Sequence, residues 1–401
     1  MSSFTKYLND SLAEIHEQNL YRTLREIDSP QDIVLKNNGQ SVISFASNDY
    51  LGLANHPTVR EAAKRAIDEF GGGSGASRLV TGSLTPHRLL ENHLAKFKNT
   101  EAALCFSSGY QTALGALTSV LSANDTVFSD RLNHACLIDG IRLSKAQVRI
   151  FDHNNAKHLR KLLQEERTQR AATQSQRGQL LIVTESVFSM DGDLAPLSEI
   201  ATIKDDFDAW LMVDEAHATG LYGKHRSGLA EQANVSDRID IHMGTLGKAL
   251  GAAGGYICGS MALRALLINR ARSFIFSTAP CPAAAAAANA ALTIVKSPEG
   301  EARCQRLWQR VAQLRQGLGL PSKPTSPIIP YIIGDEAMSL DVSQRLHKQG
   351  LLVPAIRFPS VAKSQARLRI TLSANHTEEQ ITQLLTAIRT IVRPSSTQKT
   401  Q

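Results

Sequence analysis

The sequence has few of the features that mark several common protein classes. Its five cysteines are widely spaced and form no C-x-x-C pair, which argues against a disulfide framework or a zinc ribbon and favours a reducing cytoplasm. No apolar run reaches the roughly 20 residues that a membrane span needs. The most apolar one, residues 282–295, is interrupted by Asn289 and predicts a buried helix. The first residues contain no apolar stretch typical of a secretion signal. We therefore expect a cytoplasmic protein.

The charge balance is only mildly basic. Lys and Arg number 44 against 37 Asp and Glu, a net charge of +7 over 401 residues. Such an excess is compatible with an acidic partner but does not indicate nucleic-acid binding. Residues 214–217 spell the DEAH box of helicases, yet no G-x-x-x-x-G-K-[ST] motif precedes them, since Lys224 is followed by His225 and Lys248 by Ala249. An ATPase acting on nucleic acid is therefore disfavoured, and no nucleic-acid partner is expected.

Short β-branched runs alternate with longer helical patterns through the first three quarters of the chain. Three of these runs begin at residues 180, 209 and 239, the spacing of about 30 residues that one strand–helix repeat takes. This pattern predicts an α/β domain with a mostly parallel sheet covered by helices. After residue 295 the pattern changes to that of a smaller α+β domain. We predict an N-terminal segment (1–47), a large domain (48–294) and a C-terminal domain (295–401) with a disordered tail from residue 394.

Three predicted strands end in residues that could hold one cofactor. The strand at 103–106 is followed by a small-residue turn and a helix start at Gly109, which favours an anion such as phosphate. The strand at 209–213 ends in Asp214, with His217 three residues later, and the strand at 239–243 is followed by Lys248 among glycines. A phosphate cradle, a carboxylate and an amine are what pyridoxal 5'-phosphate (PLP) requires, so we predict this cofactor and no metal.

Six segments resemble the α-oxoamine synthases, a family of fold-type I PLP-dependent transferases that join an amino acid to an acyl thioester with loss of carbon dioxide. The resemblance runs from about residue 8 to residue 392 and is carried by SFASNDYLGL (44–53), GGGSGAS (71–77), LNHACLIDG (132–140), TESVFSMDG (184–192), VDEAHATG (213–220) and GTLGKALG (244–251).

Two further segments, RLVTGSLTPHRLLE (78–91) and VPAIRFPS (353–360), favour one activity within that family. It is the condensation of L-alanine with a pimeloyl thioester, on acyl carrier protein or coenzyme A, in biotin synthesis. The member that joins glycine to an acetyl thioester is the alternative. The sequence departs from the family pattern at Glu215, where Asp is common, and at Ser360, where Thr is common.

The resemblance also implies roles for individual residues. Lys248 would bond the cofactor aldehyde as a Schiff base and then remove a proton from alanine, while Asp214 would pair with the ring nitrogen. His217 and Ser189 would bond the ring 3-oxygen, and His134 would stack over the ring. Further cofactor contacts would come from Gly109, Tyr110, Thr245 and Glu185, and from Ser277 and Thr278 of a second subunit, which implies a homodimer. Substrate would contact Arg22, Asn48, His134, Arg357 and Ser360.

Overall fold

The computed structural model describes residues 2–18, 20–172, 178–321 and 326–391. Contacts divide the chain into a larger unit, residues 47–329 and 371–382, and a smaller unit that combines residues up to 46 with 330–370 and with those from 383 onward. The predicted domain limits at residues 48 and 295 remain a prediction. The first nearly coincides with the start of the larger unit, whereas the segment from 295 to 329 groups with that unit. The predicted tail from residue 394 lies outside the described residues.

Strands and helices alternate along most of the chain. The strands are β1 (Val34–Asn37), β2 (Gln40–Ser44), β3 (Ala102–Phe106), β4 (Thr126–Asp130), β5 (Gln147–Phe151), β6 (Leu180–Glu185), β7 (Trp210–Asp214), β8 (Ile241–Thr245), β9 (Gly255–Gly259), β10 (Ile328–Gly334), β11 (Leu351–Leu352), β12 (Ala355–Ile356) and β13 (Ala366–Thr371). The helices are α1 (Ser3–Glu17), α2 (Pro57–Phe70), α3 (Thr85–Lys98), α4 (Gly109–Val120), α5 (Ala135–Ser144), α6 (Ala156–Ala172), α7 (Leu197–Asp206), α8 (Leu229–Gln232), α9 (Met261–Arg270), α10 (Arg272–Ile275), α11 (Pro282–Lys296), α12 (Pro298–Gly317), α13 (Glu336–Lys348) and α14 (Glu378–Ile391).

A seven-stranded sheet forms the centre of the larger unit. Its strand order is β3-β9-β8-β7-β6-β4-β5, and the pairs among β5, β4, β6, β7 and β8 are parallel. Strand β9 runs antiparallel to both of its neighbours. Every residue of β3, β4 and β6 is buried, as expected for strands covered by helices on both faces. The predicted mostly parallel α/β sheet is confirmed.

The core of this unit lies between the sheet and the helices that pack on it. Leu117 and Ala113 of α4 and Leu137 of α5 are fully buried against the strand residues Val183 and Met212. Each such apolar side chain contributes roughly 1.5–3 kcal/mol when it is removed from water. The apolar segment predicted to be a buried helix forms α11, and among the described residues no helix is long and apolar enough to cross a membrane.

The smaller unit contains two three-stranded sheets, β1-β2-β11 and β10-β13-β12. The sequence predicts one strand from residue 351 to 356, but the structure has two short strands there, β11 in one sheet and β12 in the other. Pro354 lies between them, and proline has no N–H to donate to a neighbouring strand, so the chain changes sheets at that point. The smaller unit also includes β1 and β2, which come from the predicted N-terminal segment.

Candidate active site

The carboxyl ends of β6, β7 and β8 lie side by side at one edge of the large sheet. The register pairs Glu185 with Asp214 and Asp214 with Met243. Ligands of open parallel sheets bind at this edge, because loops and helix starts meet there. The geometry therefore brings the residues that follow these three strands into one neighbourhood, as the sequence predicts.

Lys248 and His217 are in direct contact at this edge. Lys248 Nζ lies 2.7 Å from His217 Nε2, and the other ring nitrogen, Nδ1, lies 2.5 Å from the hydroxyl oxygen of Tyr50. The Tyr50 hydroxyl also lies 3.3 Å from the Asn48 side-chain oxygen, to which it donates. The predicted residues Lys248, His217 and Asn48 thus belong to one hydrogen-bonded chain, with fully buried Tyr50 at its centre.

Tyr50 was not among the predicted site residues. It lies 167 positions before His217 in the sequence, so no local spacing rule connects them. The only signal was its position inside the SNDYLGL segment that carries part of the family resemblance. A buried tyrosine hydroxyl normally finds a hydrogen-bond partner, and here the partner fixes the orientation of the imidazole that contacts Lys248.

Asp214 is a buried carboxyl with a cation nearby. Its Oδ1 accepts the backbone N–H of Ala216 at 2.9 Å. Burial raises the pKa of Asp214, and the positive charge of Lys248 opposes that rise. Burial also raises the pKa of Glu185, and the adjacent Asp214 raises it further. A site with two neighbouring buried carboxyls favours a cationic group, because a cation beside them restores the charged form of the carboxylate.

His134 occupies the start of a helix that begins at the same edge. It is the N-cap of α5, and its Nδ1 accepts the backbone N–H of Cys136 at 3.2 Å. Burial lowers the pKa of His134, with Asp214 and Lys248 acting on it in opposite directions. The imidazole is therefore neutral at pH 7, and the structure places it within electrostatic range of both predicted catalytic residues.

The start of α4 forms a cradle against the end of β8. A Cβ on Gly109 would lie 2.5 Å from Cγ2 of Thr245, so only glycine allows this approach. The hydroxyl oxygen of Thr245 is buried and has no hydrogen-bond partner among the described residues. A buried hydroxyl beside free N–H groups of a helix start fits an anion such as phosphate. This arrangement agrees with the predicted roles of Gly109 and Thr245.

Four other predicted residues, Tyr110, Ser189, Ser277 and Thr278, lie elsewhere in the larger unit's elements and loops. Tyr110 is 45% exposed, and its hydroxyl donates to Asp139. Ser189 lies in the loop after β6, and Ser277 lies just after α10. Thr278 forms an antiparallel bridge with Ser77. Their contacts with the cofactor remain predictions.

In the smaller unit, Arg22 and Arg357 line one cavity of about 590 Å³. Arg25 lines it as well, so three arginines line a space large enough for an anionic small molecule. Ser360 is not among the residues that line this cavity; its N–H donates to the carbonyl oxygen of Arg357 at 3.0 Å. Arg22 and Arg357, each predicted to contact substrate, thus line the same cavity, and the substrate contacts of these residues and of Ser360 remain predictions.

Glu215, which departs from the family pattern, forms a buried ion pair. Its Oε2 lies 2.7 Å from Lys98 Nζ, and its Oε1 accepts the N–H of Ala230 at 2.9 Å. Burial alone would raise the pKa of Glu215, but Lys98, His242 and the Ala230 N–H together outweigh burial and lower this pKa to about 2. The longer side chain thus holds the segment next to Asp214 against α3, and it plays no part in the DEAH chemistry of an ATPase.

Replacement of Lys98 by methionine is expected to reduce the free energy of unfolding by about 3–5 kcal/mol, because a buried carboxylate is left without its partner. Urea unfolding measures this loss. Lys64→Met is the control, since the Lys64–Glu61 pair is exposed and 3.9 Å long, and we expect a change of about 0–1 kcal/mol. The carboxylate contribution is present above the ordinary pKa of 4.5 and is lost as pH falls toward about 2. Equal losses for the two variants would contradict this interpretation of the pair.

The sheet, the lysine at its carboxyl edge and the anion cradle together define a fold-type I PLP-dependent enzyme. The model of the family "Aminotransferase class I and II" matches residues 40–388. Among solved structures, a serine palmitoyltransferase from S. paucimobilis with a bound PLP–myriocin aldimine is similar with a TM-score of 0.89 and 25% identity. That match covers 98% of this chain and 99% of the other. PLP is the cofactor of this class.

Sequence similarity narrows the class. The 8-amino-7-oxononanoate synthase of Bacillus pumilus is 45% identical over 393 residues, covering 97% of each chain. That of Geobacter sulfurreducens is 44% identical, covering 96% of this chain and 98% of its own length. The crystal structure of the Francisella tularensis enzyme of the same name is similar with a TM-score of 0.74 at 29% identity, covering 88% of this chain and 98% of that one. The chain belongs to the 8-amino-7-oxononanoate synthase family.

Proposed function

We propose that this protein is the PLP-dependent acyltransferase that condenses L-alanine with a pimeloyl thioester, releasing 8-amino-7-oxononanoate, carbon dioxide and the free thiol carrier, in biotin biosynthesis. The observation that carries the proposal is the Lys248–His217–Tyr50 chain beside buried Asp214, in a chain 45% identical to a synthase of this name over nearly its full length. Glycine acetyltransferase is the alternative within the same family; segments 78–91 and 353–360 resemble the pimeloyl-using member more closely.

The residues of the site fit the cofactor. Thr245 Oγ1 and the start of α4 suit its phosphate, and the Asp214 carboxylate suits its protonated ring nitrogen. When bound, PLP supplies a covalent attachment for the amino group and an electron sink for negative charge at Cα of alanine. The protein holds these groups in fixed positions, so the cost of orientation is met before the reaction begins.

Lys248 is the base in this proposal. Its Nζ removes the Cα proton of alanine, and the contact with His217 Nε2 at 2.7 Å orients the amine toward that position. Tyr50 in turn fixes the tautomer and the plane of His217 through Nδ1. His134 is neutral and can polarise the thioester carbonyl when the acyl donor enters.

Arg357 and Arg22 are the carboxylate-binding residues in this proposal. Both residues line one cavity, and a planar guanidinium binds a carboxylate through two parallel hydrogen bonds. Alanine offers one carboxylate at Cα, and the pimeloyl group offers another at its far end. The assignment of Arg357 to the alanine carboxylate comes from the family resemblance, and the cavity supports it.

Replacement of Arg357 by alanine is expected to raise the KM for alanine about 10- to 100-fold, because a hydrogen bond to a charged group contributes roughly 1.5–3 kcal/mol. Steady-state kinetics with alanine varied at saturating acyl donor measures the change. Arg160→Ala is the control, since Arg160 pairs with Asp206 on the larger unit, outside the cavity. A KM that rises for the acyl donor alone would contradict the assignment.

Activity is tested with purified PLP-loaded protein and four substrate pairs. Alanine and glycine are each combined with pimeloyl and acetyl thioesters, and the released thiol and the amino-ketone product are measured. The fastest reaction is expected for alanine with the pimeloyl donor. A preference for glycine with the acetyl donor would make the protein a glycine acetyltransferase. Pimeloyl-coenzyme A and pimeloyl-acyl carrier protein, compared in the same assay, identify the carrier.

The assembly and the location complete the proposal. A homodimer is expected because the segment with Ser277 and Thr278 resembles the one that, in the family, reaches the cofactor phosphate from the second subunit. A cytoplasmic location is supported by five free cysteines, four of them buried, since free thiols are typical of reducing compartments. Size-exclusion chromatography with light scattering tests the dimer.

A further inference from the structure

His153 lies between two carboxylates of the larger unit, one at the end of β4 and the other in the loop between β6 and α7. Its Nδ1 is 2.9 Å from Asp130 Oδ1, and its Nε2 is 2.8 Å from Asp193 Oδ2. A carboxylate oxygen accepts and does not donate, so both ring nitrogens must carry protons for both bonds to form. Burial would lower the pKa of His153, but the two carboxylates outweigh it and raise this pKa to about 10. The side chain is therefore an imidazolium that ties two loops together.

The first loop leads from β4 to His134. Asp130 is the last residue of β4 and is 2% exposed. Its Oδ1 also accepts the N–H of Leu132 at 2.8 Å, and its Oδ2 accepts the N–H of Asn154 at 2.9 Å. His134 caps α5 two residues after Leu132. The position of the Asp130 carboxylate therefore helps to fix the position of the His134 imidazole.

The second loop leads from β6 to α7 and contains Ser189. Asp193 Oδ2 accepts a second bond, from the Asn154 side-chain amide at 2.9 Å. The Phe188 N–H donates to the Asp193 carbonyl at 3.1 Å, and the Phe188 ring packs edge-on against His153 at 4.3 Å between centroids. The loop residues on both sides of Ser189 are thus fixed by His153 or by its carboxylate partner.

We infer that His153 is a positioning residue for the cofactor site, because it holds the His134 turn and the Ser189 loop in register at the carboxyl edge of the sheet. The imidazolium of His153 joins the turn after β4 to the loop after β6, because it bonds Asp130 at one ring nitrogen and Asp193 at the other. Its effect on turnover rests on the proposed function, whereas its effect on cofactor affinity does not.

The test compares His153→Gln with His158→Gln. His158 is a matched control, because its Nδ1 accepts the Asp152 backbone N–H at 3.1 Å and lies 2.9 Å from the Asp152 carboxylate, and it is similarly exposed (28% against 23%); neither contact involves Asp130 or Asp193. Equilibrium dialysis of the apoprotein against PLP is expected to show an affinity roughly tenfold weaker for His153→Gln and unchanged for the control. In the condensation assay kcat of His153→Gln is expected to fall about 10- to 100-fold.

A double-variant cycle with His134→Ala separates positioning from general destabilisation. If His153 acts through His134, His153→Gln should lower kcat far less in the His134→Ala protein than in the wild type. Additive losses in kcat, or a lower melting temperature with unchanged PLP affinity, would overturn the inference. Should His153→Gln fail to fold, Asp193→Asn removes one of the two charges with little change of shape, and the same two readouts decide. A wild type without condensation activity would refute the proposed function. The PLP affinities from dialysis would then still show whether His153 positions the cofactor site.

Discussion

Lys248→Ala is expected to abolish condensation, with a fall in kcat of at least about four orders of magnitude, the size of effect seen when a nucleophile or its base is removed. The reason is that one amine both attaches the cofactor and moves the Cα proton. The contact of Lys248 Nζ with His217 Nε2 at 2.7 Å holds this amine in the site. Product formation and the visible absorbance of the cofactor–lysine Schiff base measure the loss.

Lys224→Ala is the matched control for this result. Lys224 also follows a glycine, Gly223, but its side chain is exposed. Borohydride reduction of the wild type, followed by peptide mapping, should place the cofactor on Lys248. A reduced adduct on any other lysine, or a Lys248→Ala protein that keeps the visible band, would refute the assignment.

Asp214→Asn is expected to lower kcat by roughly two to four orders of magnitude. An amide has nearly the shape of the carboxylate but no charge, so it cannot keep a proton on the ring nitrogen opposite it. The N–H of Ala216, which now donates to Oδ1, would still find an oxygen acceptor. The fold should therefore be retained. The rate of alanine Cα-proton exchange in deuterated water measures the electron-sink step without the acyl donor.

Asp208→Asn is the matched control, because Asp208 lies just before β7, the strand that ends at Asp214. Asp208 is exposed and has a φ of 48°, a backbone conformation that asparagine tolerates well. Exchange at the wild-type rate is expected there. If Asp214→Asn also exchanged alanine at that rate, the proposed partnership with the ring nitrogen would be wrong.

Local sequence patterns predicted the strands on which the site depends. They failed for a strand that is stabilised mainly by pairing with residues far away in the sequence. The ends of β6 and β7 were placed within one residue, because continuous apolar runs stop at polar residues there. Strand β9 was missed, since its five residues begin and end with glycine. Only its two neighbours in the sheet, far from one another along the chain, stabilise it as a strand.

The same limit applies to the site. Lys248, Asp214 and His217 could be predicted, because each follows a predicted strand at short range. Tyr50, the Lys98–Glu215 pair and the His153 contacts could not, because each joins parts of the sequence that no spacing rule connects. Arg357 was found only through the family resemblance. An arginine near a proline-containing turn is common on protein surfaces, and only the cavity shared with Arg22 distinguishes it.

The position of β3 in the sheet has a consequence for how the protein is made. Strand β3 has a single neighbour, β9, which is the last strand of that sheet to be synthesised. The five residues of β3 are all buried in the finished fold, yet they leave the ribosome long before residue 259 does. Nascent chains therefore carry an unpaired apolar strand from the synthesis of residue 106 until that of residue 259, and such strands are prone to aggregate. Completion of the sheet, and with it the seating of α4 at the phosphate cradle, must await the arrival of β9.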